Sequence, residues 1–321
     1  MSAGFPHASR GLTEIDSHAR LTEVGDAHLL FNAGYERVGS DLLLSDESGP
    51  ALLIRGYFSH AELPALASPA GALLSGQTVR ALSDASALQL YAQTGPAAGA
   101  DLKKIGVVEQ LDGTATATHE NGTVSDLKTG DTVYQGDIIQ TGGGTHLAIT
   151  FADGTVFTMS ADARMVLDSM IYEPGGGNNS MVFSLVQGGF SFVAGQVAPT
   201  GDMKINTPVA TMGIRGTAPY VIVANDGATQ FAILPDPNSD HVGTYQLFNL
   251  TTGELIGTVS QVGTRLVLQS ALDTPLSEAQ TVQQLLDSQE VQQQLTAAYQ
   301  QSLNNPYVNQ STESSSYSNP G

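Results

Sequence analysis

The chain has 321 residues, of which 41% are hydrophobic, and its 31 acidic and 12 basic side chains give a formal net charge of −19. A chain of this length and hydrophobic content can bury a sizeable core, and we expect one principal domain with a smaller satellite. The negative charge argues against nucleic acid and anionic lipid as partners, because their phosphate groups would be repelled. The absence of cysteine excludes disulfides, thiolate catalysis and zinc-cysteine sites.

The sequence contains no segment that we expect to insert into a membrane. Its longest apolar runs, such as residues 220–224, have strand length and fall well short of the roughly 18 residues that span a bilayer. Residues 1–7 lack the basic patch and apolar core of a cleavable signal peptide. We therefore expect the protein either to stay in the cytoplasm or to leave by a route that reads no N-terminal signal. The absence of cysteine favours export.

The N-terminal part of the chain divides into distinct predicted segments. Residues 1–26 are polar and show no sustained periodicity, which predicts a flexible arm. Residues 27–60 contain short apolar runs separated by breaks such as Asn32-Ala33-Gly34, and they predict a small β-meander. Residues 61–104 are rich in Ala, Gly, Pro and Ser and predict a linker.

Residues 105–270 have the pattern of an all-β domain. Short runs of β-branched residues are interrupted by Gly-Asp or Asp-Gly pairs about every eight to twelve residues, and these pairs accept the positive φ of hairpin turns. Apolar side chains recur at every second position in stretches such as 156–159 and 190–193. One face of each strand is therefore expected to point inward and the other towards water. We predict a mainly β body that is either two-layered or solenoid-like.

Residues 271–303 predict a helical segment at the end of the β body. Ser277 and Gln280 have the spacing of a capping box, and Pro275 suits a first helical turn. Residues 304–321 have too few apolar side chains to fold and are predicted to be disordered.

The apolar residues of this helical segment form two sets on nearly opposite faces of a straight helix. The first set is Val282, Leu285 and Leu286, and the second is Val291, Leu295, Ala298 and Tyr299. A straight helix would expose one set, so we predict a break near Asp287 between helices at about 276–286 and 288–303. If the helix is instead continuous, the exposed set becomes the best candidate for a partner-binding surface.

A series of motifs between residues 105 and 217 resembles the FecR domain. In chain order they are LKTGD (127–131), QGDIIQT (135–141), FADGT (151–155), VQGGF (186–190) and TPVATMGIRGT (207–217). The resemblance implies a β fold. In bacteria it also implies either a periplasmic regulator or a region near the start of a large secreted surface protein. FecR regulators typically have a membrane anchor and a cytoplasmic segment that binds a sigma factor, and neither is predicted here.

Two shorter features resemble parts of biofilm-associated adhesins that are exported by type I secretion. The stretch VGSDLLL (38–44), the turn at 47–49 and the strand ending at Tyr57-Phe58 are similar to the small prefix module of such adhesins. Pro96-Ala97-Ala98-Gly99 resembles the di-alanine site at which periplasmic cysteine proteases release some of them, which makes it a candidate proteolytic release site. Small residues also form this pattern by chance in an Ala-rich linker, and that alternative stays open.

Arg215, Gly216 and Thr217 close the FecR-like series and form a candidate structural site. The guanidinium group of Arg215 either binds an anionic ligand or donates to backbone carbonyls and to a carboxylate such as Asp137 or Asp153. We predict the structural role, with at least one hydrogen bond from Arg215. We also predict burial of the apolar residues around it, Ile205, Val209, Met212 and Ile214.

No residue pattern identifies a catalytic, metal or cofactor site. Each Asp of the Asp-Gly and Gly-Asp pairs could be a calcium ligand, but no single loop contains enough acidic groups to form a calcium site. We therefore predict that these pairs form turns. The seven His residues are dispersed and stand outside His-x-x-x-His and Gly-x-Ser-x-Gly contexts. His119 precedes a predicted hairpin turn at Asn121-Gly122. We therefore predict a non-enzymatic protein that needs no cofactor.

These observations favour a non-enzymatic secreted or cell-surface module related to the N-terminal part of type I-exported adhesins. The alternative is a FecR-like signalling protein, periplasmic or cytoplasmic, that binds a receptor or regulator. A carbohydrate-binding or hydrolytic domain is a third hypothesis, against which the absence of Trp argues. We expect an unidentified protein partner, with neither nucleic acid binding nor membrane insertion.

Overall fold

The structure is a computed structural model, and it describes residues 11–46, 49–92, 102–200, 202–237 and 242–305. The N-terminal elements are β1 Leu12–Asp16, β2 Leu21–Glu23, α1 Ala27–Asn32, β3 Gly34–Val38, β4 Asp41–Ser45, β5 Ala51–Arg55, a 3-10 helix Tyr57–Ser59, β6 Ala65–Ala67, β7 Leu73–Leu74 and α2 Gly76–Ala92. The following elements are β8 Lys104–Asp112, β9 Ala115–Thr118, β10 Val124–Asp126, β11 Thr132–Tyr134, β12 Ile138–Thr141, β13 His146–Phe151, β14 Val156–Met159, β15 Arg164–Ile171, β16 Ser180–Val193 and α3 Val197–Thr200. The C-terminal elements are β17 Asp202–Asn206, β18 Thr211–Ile214, β19 Ala218–Val223, β20 Thr229–Leu234, β21 Tyr245–Phe248, β22 Leu255–Val259, β23 Thr264–Leu268, β24 Leu276–Ala279 and α4 Val282–Ser302.

The N-terminal module contains more regular structure than its composition predicted. Strands β1, β5, β4 and β3 form one sheet, in which β1 runs parallel to β5, and β2, β6 and β7 form another. Residues 12–16 and 21–23, predicted to be flexible, are ordered because partners more than 30 residues away pair with them. The predicted linker likewise contains β6, β7 and α2. Such distant pairing leaves no periodic signal in a short polar segment.

A short helix interrupts the predicted meander. Asp26 caps α1 by accepting the backbone N–H groups of His28 and Leu29, at 2.9 and 3.2 Å. Leu30 and Phe31 are consequently buried on the side that faces the β body. The Arg164 guanidinium donates to the Ala33 carbonyl at 2.9 Å, which ties the module to the rest of the chain.

The principal domain has two sheets that share strand β16. Sheet I has the order β11-β8-β13-β14-β16-β19-β20-β23-β24. Sheet II has the order β10-β9-β12-β15-β16-β17-β18-β21-β22. The first half of β16 pairs in sheet II and its second half in sheet I, and Gly188 lies at the crossing with a φ of +102°. A Cβ at Gly188 would lie 2.4 Å from Ala163, so only glycine fits there. The prediction of a mainly β, layered body is confirmed.

Aromatic side chains fill the space between the two sheets. Phe157 and Phe192 stack with ring centroids 4.6 Å apart in sheet I. Phe183 of sheet II approaches Phe151 of sheet I at 4.7 Å. Phe190 is also inward and buried, as predicted, but Ser191 between Phe190 and Phe192 is buried as well. Its face of sheet I is therefore covered rather than open to water.

Helix α4 is the element that covers this outer face. Leu295 packs with Val193, Ala218 and Leu234, while Ala298 packs with Ala148 and Val156. None of the helices in the described part of the chain is both long and apolar enough to cross a bilayer.

The predicted break in the C-terminal helix is wrong, and so is its predicted start. Residues 276–279 form strand β24 because they pair with β23, and the helix begins only after Thr281, which forms a capping box with Gln284. From there α4 continues through Asp287 to Ser302 without interruption. Burial of the second apolar set against sheet I holds the helix straight, and the first set is left exposed.

Candidate functional site

The exposed apolar residues of α4 form the clearest unpartnered surface in the described structure. Val282 is 75% exposed, Leu286 53% and Leu285 38%, and their spacing places them on one face of the helix. Val262, 47% exposed, stands in the turn beside this face, where the Gln280 N–H donates to the Gly263 carbonyl at 2.9 Å. We call Val262, Val282, Leu285 and Leu286 the α4 surface. Grouped exposed apolar residues commonly mark an interaction site.

The surroundings of the α4 surface are acidic. Asp287 and Glu290 follow it on the same helix, and the sequence contains no Lys or Arg after Arg265. Arg265 is engaged, since it donates to the Glu278 carboxylate and to the Gln230 side chain, both at 2.7 Å. Burial raises the pKa of Tyr220, and Asp287 and Glu290 raise it further, which reports the negative field beneath the helix. The site is therefore apolar at its centre and negative around it.

Arg215 makes no predicted hydrogen bond to any residue that the structure describes, so the proposed stabilising role of this side chain is wrong. Arg215 is exposed and has no hydrogen bond or ion pair within the described residues. The strand β18 ends at Ile214, which points inward, and the alternation of a strand then directs Arg215 outward. Gly216 follows with a φ of +90°, and the Thr217 hydroxyl is buried and has no hydrogen-bond partner among the described residues. Predicted burial of Ile205, Val209, Met212 and Ile214 is confirmed.

The candidate release site Pro96-Ala97-Ala98-Gly99 lies outside the described residues. Its cleavage stays a prediction.

The carboxylates of the Asp-Gly pairs organise turns. Asp153 accepts the backbone N–H groups of Thr155 and Val197 at 3.0 and 3.1 Å, and the Thr155 hydroxyl at 2.9 Å. Burial nevertheless raises the pKa of Asp153 above its ordinary value. Asp131 likewise accepts the Lys128 N–H at 2.8 Å. Within the described ranges no three His, Asp or Glu side chains are grouped as metal ligands.

The structure brings together three polar side chains that the sequence analysis did not connect. The His119 Nδ1 lies 2.7 Å from Asp137 Oδ1, and its Nε2 lies 3.0 Å from the Ser125 hydroxyl. Asp137 is fully buried, and burial raises its pKa despite the hydrogen bonds from His119 and from the Tyr134 N–H. In the sequence His119 is recognisable only as a neighbour of a hairpin turn, because residues 6 and 18 positions away match no catalytic motif.

A polar cavity of about 310 Å³ lies between the N-terminal module and the β body. Thr78 of α2 lines it from one side, and Ser184, Asn206 and Thr211 line it from sheet II. Its hydroxyl and amide groups suit water or a small neutral molecule, and none of the described residues that line it is charged.

Comparison with known proteins gives one match to a family model. Residues 137–235 match the model described as FecR protein. No match was found among curated proteins.

Solved structures add two further similarities. Two crystal structures of a proposed anti-sigma factor from Parabacteroides distasonis are 13% identical, with a TM-score of 0.35, over 46% of this chain and 62% of that one. A cell surface anchoring domain is 35% identical over 19% of this chain and 82% of that domain, with a TM-score of 0.19.

The family match coincides with the central strands β12–β20 and with most of the motifs described above. The chain therefore contains a FecR domain at residues 137–235.

Proposed function

We propose that this protein is a binding module whose FecR domain and α4 surface together engage a receptor or regulator protein. The match of residues 137–235 to the FecR model carries the proposal, because the resemblance to FecR regulators implies a protein that binds other proteins. Helix α4 packs directly on this domain, so a protein bound to the helix is held next to the domain.

The α4 surface indicates the chemistry of the partner. Its apolar centre favours an apolar anchor on the partner, and the surrounding carboxylates favour Lys or Arg at the rim of the contact. Because α4 is already folded and held by Leu295 and Ala298, binding would not have to order the helix. We infer an amphipathic, basic segment of the receptor or regulator.

Site-specific crosslinking tests the proposal. A photoreactive phenylalanine analogue at position 282 should crosslink to a defined envelope protein of the native host, whereas the same analogue at position 255 should not. Leu255 is the matched control because it is equally apolar and 53% exposed but lies on β22 of sheet II. The combined change Val282→Ser and Leu286→Ser should abolish capture of that protein and leave the fold unchanged. Equal crosslinking from both positions, or capture that survives the double change, would contradict the proposal.

Display on the cell surface is a second candidate function. It is supported by the sequence similarity to a cell surface anchoring domain, by the prefix-like residues 38–58 and by the acidic, cysteine-free composition. Fractionation of the untagged protein from its native host tests it, and a wholly cytoplasmic location would exclude it. Neighbouring genes distinguish the two functions, since an ABC exporter favours display and a sigma factor beside a TonB-dependent receptor favours signalling.

A further inference from the structure

The side chains of Ser125, His119 and Asp137 lie in one hydrogen-bonded line. His119 follows β9, Ser125 is in β10, and Asp137 immediately precedes β12, so adjacent strands of sheet II bring them together. The distances are 3.0 Å from the Ser125 hydroxyl to Nε2 and 2.7 Å from Nδ1 to Asp137. Tyr134 packs edge-on against the imidazole, with ring centroids 5.5 Å apart. The His119 imidazole is therefore held by hydrogen bonds at both nitrogens and by ring packing against Tyr134.

The hydrogen bonds of Asp137 and Ser125 bear on which nitrogen of His119 carries the proton. Asp137 accepts the Tyr134 N–H on Oδ2 at 2.8 Å and faces Nδ1 with Oδ1. An ionised carboxylate can only accept, so with Asp137 ionised the proton of a neutral His119 is on Nδ1. Nε2 then has a free lone pair and accepts from the Ser125 hydroxyl. A serine hydrogen-bonded to a base that a third group orients is the arrangement of an activated nucleophile.

Ser125 lies at an open strand edge. In the described structure β10 pairs only with β9, and Ser125 is half-buried. The His119 N–H donates to the Thr123 carbonyl, and the Leu127 N–H donates to the Ala115 carbonyl. Since ladder bonds alternate along an antiparallel strand, the N–H of Asp126 faces away from β9 at the open edge. This N–H makes no ladder bond to β9 and, in the reaction proposed below, would be the donor for negative charge on the attacked group.

We propose that Ser125 is a nucleophilic serine that accepts an acyl group from an uncharged or cationic ester or thioester. The Oγ bonds the carbonyl carbon while its proton moves to His119 Nε2. The bond to the leaving alcohol or thiol then breaks, and that group takes the proton from Nε2. Acyl-Ser125 and a free alcohol or thiol result, with no other reactant required. Nearby Glu120 and Asp126 exclude anionic donors by repulsion.

The chain contains its own control for this chemistry. Ser17 lies 2.9 Å from the Nε2 of His60, and both are half-buried, like Ser125. Within the described residues no carboxylate forms a hydrogen bond with His60. Ser17 therefore tests hydroxyl reactivity beside a histidine that no buried carboxylate orients.

Labelling with a fluorophosphonate probe, with the modified residue identified by mass spectrometry, tests the proposal. The Oγ displaces fluoride from phosphorus, so the adduct marks a nucleophilic serine. We expect labelling at Ser125 at least about 100-fold faster than at Ser17 in the same molecule. Ser125→Ala should remove this adduct, and His119→Gln should slow its formation by at least about 100-fold.

Circular dichroism and thermal unfolding establish whether His119→Gln is folded. If it is not, the comparison of Ser125 with Ser17 in the unaltered protein decides alone. The proposal is overturned if Ser125 is unlabelled or is labelled no faster than Ser17. It is also overturned if folded His119→Gln reacts at the original rate. The hydrogen bonds among the three side chains would then have only a structural role.

Discussion

The carboxyl group of Asp168 should make the stability of this protein fall as the pH rises through the weakly acidic range. Asp168 lies in β15, and its Oδ2 is buried with no hydrogen-bond partner in the part of the chain that the structure describes. Burial raises its pKa from 3.8 to about 6, although a hydrogen bond with Ser184 opposes the shift. The native state therefore holds a proton on Asp168 at pH values where the unfolded chain has lost it.

The size of the effect follows from the pKa difference. A shift from 3.8 to about 6 corresponds to about 3 kcal/mol, since each pKa unit is worth about 1.36 kcal/mol. Between these pH values the native state binds more protons than the unfolded state, so the free energy of unfolding decreases with pH. The stability contributed by the protonated carboxyl is complete below the unfolded pKa and is lost by the time the pH exceeds about 6.

Urea unfolding of the unaltered protein and of Asp168→Asn at a series of pH values from about 4 to about 7.5 tests this reasoning. The amide does not titrate, so any cost of its packing is constant and cancels when the pH dependence is compared. We expect the unaltered protein to lose up to about 3 kcal/mol relative to Asp168→Asn across this range. Asp273→Asn is the control, because Asp273 is exposed. A difference that stays constant with pH, or that changes in the opposite direction, would refute the argument.

Two further changes test the packing of the β body. Phe192→Ala removes a fully buried ring that stacks on Phe157, and it should lower the free energy of unfolding by about 3–5 kcal/mol. An effect no larger than that of the exposed control Leu255→Ala would show that Phe192 is not part of the core. Tyr245→Phe removes the hydroxyl that donates to the Ala232 carbonyl at 2.8 Å, and should cost about 1–3 kcal/mol in chemical unfolding because the carbonyl stays buried; a neutral result would show that water replaces the bond.

The turns and the interior of the β body were predictable because their signals are local. Asp153-Gly154 and Asp226-Gly227 form turns in which the glycines have φ values of +83° and +88°. The buried residues of β17 and β18, Met203 and Ile205 and then Met212 and Ile214, also follow a spacing of two, which a strand with one buried face must obey. These features depend on few neighbours along the chain, so the sequence alone contains them.

Pairing between distant segments was not predictable. Strand β1 is polar and largely exposed, and it is a strand only because β5 pairs with it from residues 51–55. The same is true of β24, whose residues satisfy the local signals for a helix start but pair with β23. In both cases tertiary pairing overrides local propensity.

The candidate sites show the same limit. The two apolar faces of α4 were visible in the sequence, but the choice between bending the helix and exposing one face depended on the shape of sheet I. The relation of Ser125, His119 and Asp137 depended on the register of β9 with β10 and β12. A spacing of 6 and 18 residues between these groups is not a signature of any motif.

Helix α4 lies outside the FecR-matched residues 137–235 and yet completes their packing. The buried apolar residues that pack against Leu295 and Ala298 belong to the matched block: Ala148, Val156, Val193, Ala218 and Leu234. Without the helix this face of sheet I would be apolar and open, so in this chain the FecR domain and α4 form one structural unit. The first half of the helix extends from that anchored part with Val282 and Leu286 facing outward. A partner would therefore bind a surface whose backbone is already ordered. Its binding free energy would not be reduced by the entropy cost of ordering the helix.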